Sequence, residues 1–261
     1  MSQARFYTTQ LQAGLGLLDE TRQLLQVYEP GMTASQLFDA ALQSGRFPLV
    51  TARRLRNVVS ECFAPRYLRD GQVARQLKLL VSRFNSAELN QLFFLYTARA
   101  NLVLADFVRE VYWARYSAGR NDIDLEDARS FVTHSVREGK TQKPWSETTI
   151  KRISSYLMGC CADYGLLTTT GRNQRSITAY RILPRVAAFL AYELRFGGLG
   201  DNQIVSHPDW SLFGLEPEDV KDQLKRMSLQ GFLIFQSASN VVHIGWTYKT
   251  MEELIDVIAQ G

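Results

Sequence analysis

The sequence contains few cysteines and no long apolar run. Three cysteines, Cys62, Cys160 and Cys161, are too few for a disulfide framework in 261 residues. The longest uninterrupted apolar run, residues 186–192, is far shorter than the roughly 20 residues that span a bilayer. The apolar run near the N-terminus ends at Asp19, which is unlike a secretory signal. We therefore expect a cytoplasmic protein that neither crosses nor binds a membrane.

Catalytic and metal-binding patterns are also missing. The three histidines are scattered, and each is more typical of a packed or surface residue than of a base or a ligand. No C-x-x-C pair, as found in structural zinc sites, occurs. Gly139-Lys140-Thr141 resembles the end of a phosphate-binding loop, but His134 stands where that loop needs its first glycine. We predict that the chain is not an enzyme and has no metal, no other cofactor and no small-molecule substrate.

The net charge of +4 is unevenly distributed along the chain. Residues 141–196 contain eight basic and three acidic residues, whereas residues 197–261 contain four basic and nine acidic ones. A second basic stretch, residues 46–83, contains nine basic and two acidic residues. This asymmetry favours a polyanionic partner for the basic stretches and a different role for the acidic end.

The hydrophobic periodicity predicts a mainly α fold with two small β-hairpins. Up to about residue 140 it indicates a bundle of five to seven helices, which includes a long apolar stretch at residues 86–116. Two helix–hairpin patterns follow the bundle. The predicted helices lie at 15–28, 33–43, 51–63, 73–84, 124–136, 146–164, 185–195, 208–212, 217–229 and 250–259, and the predicted hairpins at 166–182 and 232–244.

These patterns divide the chain into three predicted domains. Residues 1–122 form the helical bundle, residues 123–183 a basic winged-helix unit, and residues 184–261 an acidic winged-helix-like unit. In a helix-turn-helix unit the second helix enters the major groove of DNA. The predicted helix at residues 146–164 is therefore the candidate recognition helix.

Setting the residues of this helix 100° apart places its cations on one face. That face presents Thr148, Lys151, Arg152, Ser155 and Gly159. The tip of the following hairpin adds Arg172, Asn173, Gln174 and Arg175. These side chains suit phosphate and groove contacts. A solvated amphipathic helix followed by a polar turn is the alternative, but the basic charge of the segment favours nucleic acid.

An arginine cluster in the predicted helix at residues 51–63 is the second candidate surface. Arg53, Arg54 and Arg56 lie on or beside its polar face, and arginine is suited to bidentate phosphate contacts. Ion pairs with acidic helices of the same bundle explain these residues equally well. Both interpretations stay open from the sequence.

The predicted helix at residues 217–229 differs from the candidate recognition helix. Its polar face carries equal numbers of acidic and basic residues, and the acidic charge of the region would repel a phosphate backbone. We expect a protein-facing or structural role there. An exposed Trp210 or Trp246 would favour the protein-facing role.

Four long segments of the chain are distinctive enough to compare with known families. They are residues 5–25 (RFYTTQLQAGLGLLDETRQLL), 92–116, 139–167 (GKTQKPWSETTIKRISSYLMGCCADYGLL) and 198–215 (GLGDNQIVSHPDWSLFGL). In these segments the chain resembles the BrxA family of the bacterial BREX (bacteriophage exclusion) defence systems. The resemblance implies a helical, non-catalytic, DNA-binding protein whose N-terminal bundle is similar to NusB-type antitermination proteins.

The resemblance and the charge pattern together set the expected partners. We expect binding to double-stranded DNA, mainly through phosphate contacts and with little sequence preference. The family implies further partners among other BREX proteins, such as the methyltransferase and ATPase components. An assembly adaptor for those proteins is the alternative function. RNA binding through the bundle is a third, which depends on the NusB likeness alone.

Overall fold

A computed structural model describes residues 6–13, 16–169, 174–238 and 241–260, with only the backbone of Gln12, Ala13 and Gln174. Helices dominate, and the strands form small antiparallel sheets, so the predicted fold class is confirmed. The helices are α1 (Leu18–Val27), α2 (Ala34–Gln43), α3 (Ala52–Asn57), α4 (Ala64–Tyr67), α5 (Gln72–Leu80), α6 (Ser86–Ala100), α7 (Leu102–Phe107), α8 (Trp113–Ser117), α9 (Leu125–Arg137), α10 (Glu147–Asp163), α11 (Pro184–Phe196), α12 (Asp201–Val205), α13 (Pro217–Leu229) and α14 (Met251–Ile258). The strands are β1 (Asp122–Asp124), β2 (Leu167–Thr169), β3 (Gln174–Ile177), β4 (Leu233–Ala238) and β5 (Val241–Trp246).

The described residues form two compact units. Unit 1 comprises the chain up to Lys78 together with Phe93–Tyr180, and unit 2 comprises Leu79–Leu92 together with the chain from Arg181 onward. The predicted bundle and the predicted basic unit therefore share one compact body for most of their length. The division into three domains stays a prediction, because a compact cluster of contacts does not establish which segments fold independently.

Aromatic side chains form the centre of the bundle in unit 1. Tyr67 packs edge-on against Phe93 and Tyr96, with ring centroids 6.1 Å apart in both pairs. The apolar stretch predicted at residues 86–116 is interrupted at Asn101, where φ of −128° and ψ of 89° leave the helical region. A π-helical turn at Val108–Tyr112 follows α7.

The second half of unit 1 contains a three-stranded sheet instead of the predicted two-stranded hairpin. β1 pairs antiparallel with β3, with Ile123 opposite Arg175, and β3 pairs antiparallel with β2, with Thr168 opposite Ser176. Along the chain the elements follow in the order β1, α9, α10, β2 and β3. In the sheet the order is β1, β3, β2, which places the last strand in the middle. α9 packs directly on α10.

The N-terminal segment of unit 1 lies against α10 and against the loop between α9 and α10. Tyr7 forms a parallel bridge with Thr141, and its hydroxyl donates to Asp106 at 2.7 Å. The backbone N–H of Gly16 donates to the Asp163 carboxylate, at the last residue of α10, at 2.9 Å. The N-terminal segment therefore contacts both the loop before α10 and the C-terminal end of α10.

In unit 2, α11 packs against α12, α13 and α14, and β4 and β5 form a separate antiparallel hairpin. The hydroxyl of Tyr192 donates to the carbonyl of Phe232 at 2.5 Å and accepts the N–H of Thr247 at 3.0 Å. Trp210 is buried and donates to a backbone carbonyl, so it belongs to the core, and Trp246 is half-buried. Neither is the fully exposed tryptophan that would favour a protein-facing role. No helix in the described part of the chain is both long and apolar enough to cross a membrane.

Candidate nucleic-acid interface

The first half of α10 presents the predicted polar face to solvent. Ser146 caps the helix by accepting the backbone N–H of Thr149 at 3.3 Å, as its sequence position predicts. The exposed residues on this face are Thr148, Lys151, Arg152 and Ser155, which were predicted together. The buried face is formed by Ile150, Ile153, Leu157, Met158, Cys160 and Cys161.

Two residues expected on the exposed surface lie elsewhere. Gly159 is buried, so its predicted place on the exposed face is wrong. Arg175 lies in β3 rather than in the hairpin tip, and its Nη1 donates to the carbonyl of Met158 at 2.8 Å. The predicted face residues that are exposed, Thr148, Lys151, Arg152 and Ser155, all lie in the first half of the helix. The open face is therefore confined to the N-terminal half of α10.

The predicted tip of this hairpin lies mostly outside the described residues. Arg172 and Asn173 belong to that part of the chain, as does the side chain of Gln174. Their contribution to a DNA-binding surface stays a prediction.

Lys151 and Arg152 are the two cations of the open face. Both side chains are exposed, and neither forms an ion pair or a hydrogen bond within the part of the chain that the structure describes. This distinguishes them from cations such as Arg115, Arg129 and Lys140, which form ion pairs with carboxylates. Two adjacent exposed cations at the start of a long helix form a surface suited to phosphate oxygens.

A cleft of about 670 Å³ opens beside this face, between the first turns of α9 and α10. Arg129 of α9 crosses it and donates to Glu147 of α10 at 2.8 Å, and it lies 3.9 Å from Glu126. Lys151 also lines the cleft. Neither Arg129 nor Glu147 is among the predicted site residues. The spacing of Glu147 and Lys151 does carry a signal for Glu147, because residues i and i+4 lie on one side of a helix.

The cysteines behind the open face are structural. Cys62, Cys160 and Cys161 are buried and free. Burial raises the pKa of Cys160 to about 12 and that of Cys161 well above its ordinary value, because a thiolate is poorly solvated there. These thiols stay protonated near neutral pH and fill the core beneath α10.

The arginine cluster lies on and beside α3. Arg53, Arg54 and Arg56 are exposed, but the guanidinium of Arg56 stacks over the ring of Phe38 at 4.6 Å. Thr51 caps the helix by accepting the N–H of Arg54 at 3.2 Å. The structure brings the three arginines to one solvent-facing helix, and whether they meet phosphate stays a prediction.

The corresponding helix of unit 2, α13, carries its charges as local pairs. Lys221 lies 2.7 Å from Glu218, and Lys225 lies 2.9 Å from Asp222. Each of these two cations is matched by an acid one turn away, and α13 as a whole carries three basic and three acidic residues, so it has no surplus of positive charge. The contrast with Lys151 and Arg152 is the main electrostatic difference between the two helix–hairpin patterns.

The chain is similar to a protein of known structure in its fold and to one family model in its sequence. An uncharacterized protein from Magnetospirillum magneticum, known from its crystal structure, aligns over 73% of this chain and 94% of its own with a TM-score of 0.56. The two share 17% sequence identity, so this likeness concerns the fold alone. No curated protein shows a significant match to the chain. The chain is a mainly helical protein with a cationic helix face beside a small sheet.

Residues 5–193 match the family model of BrxA, and the chain belongs to the BrxA family. The predicted family is thus confirmed over most of the sequence. Membership makes the chain a component of a BREX phage-defence system. The family is not known as catalytic.

Proposed function

We propose that this BrxA-family chain binds double-stranded DNA through the N-terminal half of α10, mainly by phosphate contacts and without catalysis. The observation that carries the proposal is the open face of α10, where Lys151 and Arg152 are exposed and form no ion pair among the described residues. Phosphate neutralisation by such cations supplies most of the affinity of sequence-independent DNA binding.

The connectivity around α10 supports the interpretation of this part as a winged helix. A strand precedes α9, two helices pack together, and two further strands return so that β3 lies between β1 and β2. In helix-turn-helix proteins the second helix directs its N-terminal residues toward the major groove while the first crosses the backbone. α10 and α9 take these places in the proposed complex.

The expected salt dependence provides the test of the proposal. The variant carrying Lys151→Ala and Arg152→Ala should bind every duplex more weakly, and the plot of log affinity against log salt should become less steep by about 2. Fluorescence anisotropy of a labelled duplex measures both quantities. Circular dichroism of each variant confirms that the fold is retained.

An adjacent Lys-Arg pair in unit 2 provides a matched control. Lys225→Ala with Arg226→Ala removes the same two residue types from an exposed helix, but Lys225 is already paired with Asp222. This control should leave the affinity and the salt slope close to those of the unmodified chain. Equal effects of the two double variants, or an unchanged slope in the α10 variant, would show that α10 does not meet the phosphates.

The alternative function, an adaptor that holds other BREX proteins, is favoured by exposed apolar residues in unit 2. Leu229 at the end of α13 is 89% exposed, and Ile234 in β4 is 61% exposed. Isolated apolar residues are common on protein surfaces, so this observation is weaker than the cationic face. Stable co-purification with a BREX component, combined with DNA binding that disappears near physiological salt, would favour the adaptor.

A further inference from the structure

Glu147 lies on the side of α10 that the proposed function directs toward DNA. It is the first residue of the helix and stands one turn before Lys151. Its side chain is 83% exposed, so it faces solvent as the cations do. A carboxylate in the first turn stabilises a helix through the macrodipole, but the same charge near a phosphate backbone is repulsive.

An ion pair across the cleft between α9 and α10 joins this carboxylate to Arg129. The Oε2 atom of Glu147 accepts a hydrogen bond from Nη2 of Arg129 at 2.8 Å. Glu126 lies 3.9 Å from the same guanidinium on its other side. Within the described part of the chain Oε1 of Glu147 has no partner. One carboxylate oxygen of Glu147 is thus paired with Arg129, and the other faces solvent, where it can accept a hydrogen bond.

The chemistry of duplex DNA restricts what an exposed carboxylate oxygen can contact favourably. It accepts hydrogen bonds and donates none, so it requires an N–H or O–H group. The phosphates offer no donor, whereas the edges of the bases in the major groove offer exocyclic amino groups. A carboxylate on a recognition helix characteristically accepts from the N4 amino group of cytosine.

We propose that Glu147, oriented by Arg129, reads one cytosine in the major groove and is a specificity-determining residue of this surface. This inference rests on the proposed DNA-binding function. The phosphate contacts of Lys151 and Arg152 supply affinity on any sequence, and Glu147 adds a preference at a single base pair. The preference is about tenfold, because one side-chain contact to a base edge discriminates by about that factor.

Selection from a randomised duplex library tests the preference. The unmodified chain enriches cytosine at one position of the bound fraction, as read by sequencing. In Glu147→Gln this preference disappears or changes to adenine, since an amide pairs with the N6 and N7 atoms of adenine. Glu147→Gln should also bind the unselected library more tightly, because it removes a negative charge that repels the phosphates.

Glu126→Gln is the matched control. It removes one negative charge from the same cleft and contacts the same Arg129, but it lies on α9. This variant should bind the unselected library more tightly and keep the cytosine preference. Loss of the preference in Glu126→Gln to the same extent as in Glu147→Gln would overturn the proposal, because the effect would then follow from cleft charge alone.

A contact to the guanine of the same base pair would also enrich cytosine, and the variants distinguish this contact from one made by Glu147. The guanine of the same base pair can be read by Arg152, and the preference would then persist in Glu147→Gln and fall in Arg152→Ala. That result, or the absence of any enrichment with the unmodified chain, overturns the proposal. Binding of the unselected library is measured in the same experiment. No binding there refutes the proposed function as well, whereas binding without preference refutes only the reading of cytosine.

Discussion

Gly16→Ala tests whether the N-terminal segment must pack closely on α10. A Cβ added at Gly16 would lie 2.7 Å from the Cβ of Asp163 and 3.2 Å from its Oδ2. The nearest atom is attached directly to the backbone of α10, so rotation of the side chain cannot relieve the clash. Either the segment or the end of the helix must move.

The movement would disturb hydrogen bonds that converge on Gly16. Its N–H donates to Asp163 at 2.9 Å, and its carbonyl accepts from the Tyr164 hydroxyl at 3.2 Å and from Arg66 at 3.4 Å. Adding a methyl group to a well-packed site costs about 1–3 kcal/mol. For a chain of this size we expect the midpoint of thermal unfolding to fall by about 3–10 °C.

Circular dichroism during heating and during urea titration measures this loss. Gly200→Ala is the control, because the Cβ added there meets only the Oε1 atom of Gln203, at 3.6 Å, and φ is −75°. It should lower the free energy of unfolding by at most about 1 kcal/mol, because its only cost is the loss of the glycine preferred at the N-cap of α12. An unfolding midpoint of Gly16→Ala equal to that of the unmodified chain would show that the segment does not pack tightly on α10.

Three further predictions concern a helix cap, the thiols and the tyrosines. Asp124→Ala removes the side chain that accepts the N–H of Asp127 at 2.9 Å and should lower the free energy of unfolding by about 1 kcal/mol in urea titrations, whereas equal stability would exclude a capping role. A thiol-specific colorimetric reagent at pH 8 should leave Cys160 unmodified in the native chain and modify it in denaturant, because its pKa is raised to about 12; rapid native modification would contradict its burial. Burial also raises the pKa of Tyr164 and Tyr180, so the unfolded chain loses these protons first and stability should fall as the pH rises above about 10; a urea midpoint that is constant from pH 8 to pH 11 would refute this.

Local signals were sufficient for most helices. Thr33 and Ser146 stand at the first positions of predicted helices, where a hydroxyl side chain favours an N-cap, and both accept a backbone N–H there. Gly165 directly follows the predicted helix 146–164, a position where glycine commonly ends a helix, and its φ of 82° is the left-handed conformation that glycine adopts easily. Caps and helical periodicity depend on neighbours a few residues away, which is why the sequence reveals them.

Features that depend on distant partners were not predicted. β1 is three residues long, and only its pairing with β3 makes it a strand. α12 is a five-residue helix between the predicted helices at 185–195 and 208–212, where the sequence pattern predicts none. A helical wheel places Gly159 on the open face, because it contains no information about what packs on α10 in the folded chain. The ion pair of Arg129 with Glu147 likewise joins two helices that only the tertiary fold brings together.

The early residues of this chain depend on residues that are synthesised much later. Gly16 meets Asp163, a partner 147 positions further along. A ribosome that adds about 5–20 residues per second needs roughly 7–30 s to cover that interval. During this time the segment that anchors α10 has emerged without its docking surface, and Leu79–Leu92 still lacks the C-terminal residues with which it forms unit 2. Nascent chains of this protein therefore carry exposed apolar surface until late in translation, and their dependence on chaperones should exceed that of chains whose units are continuous in sequence.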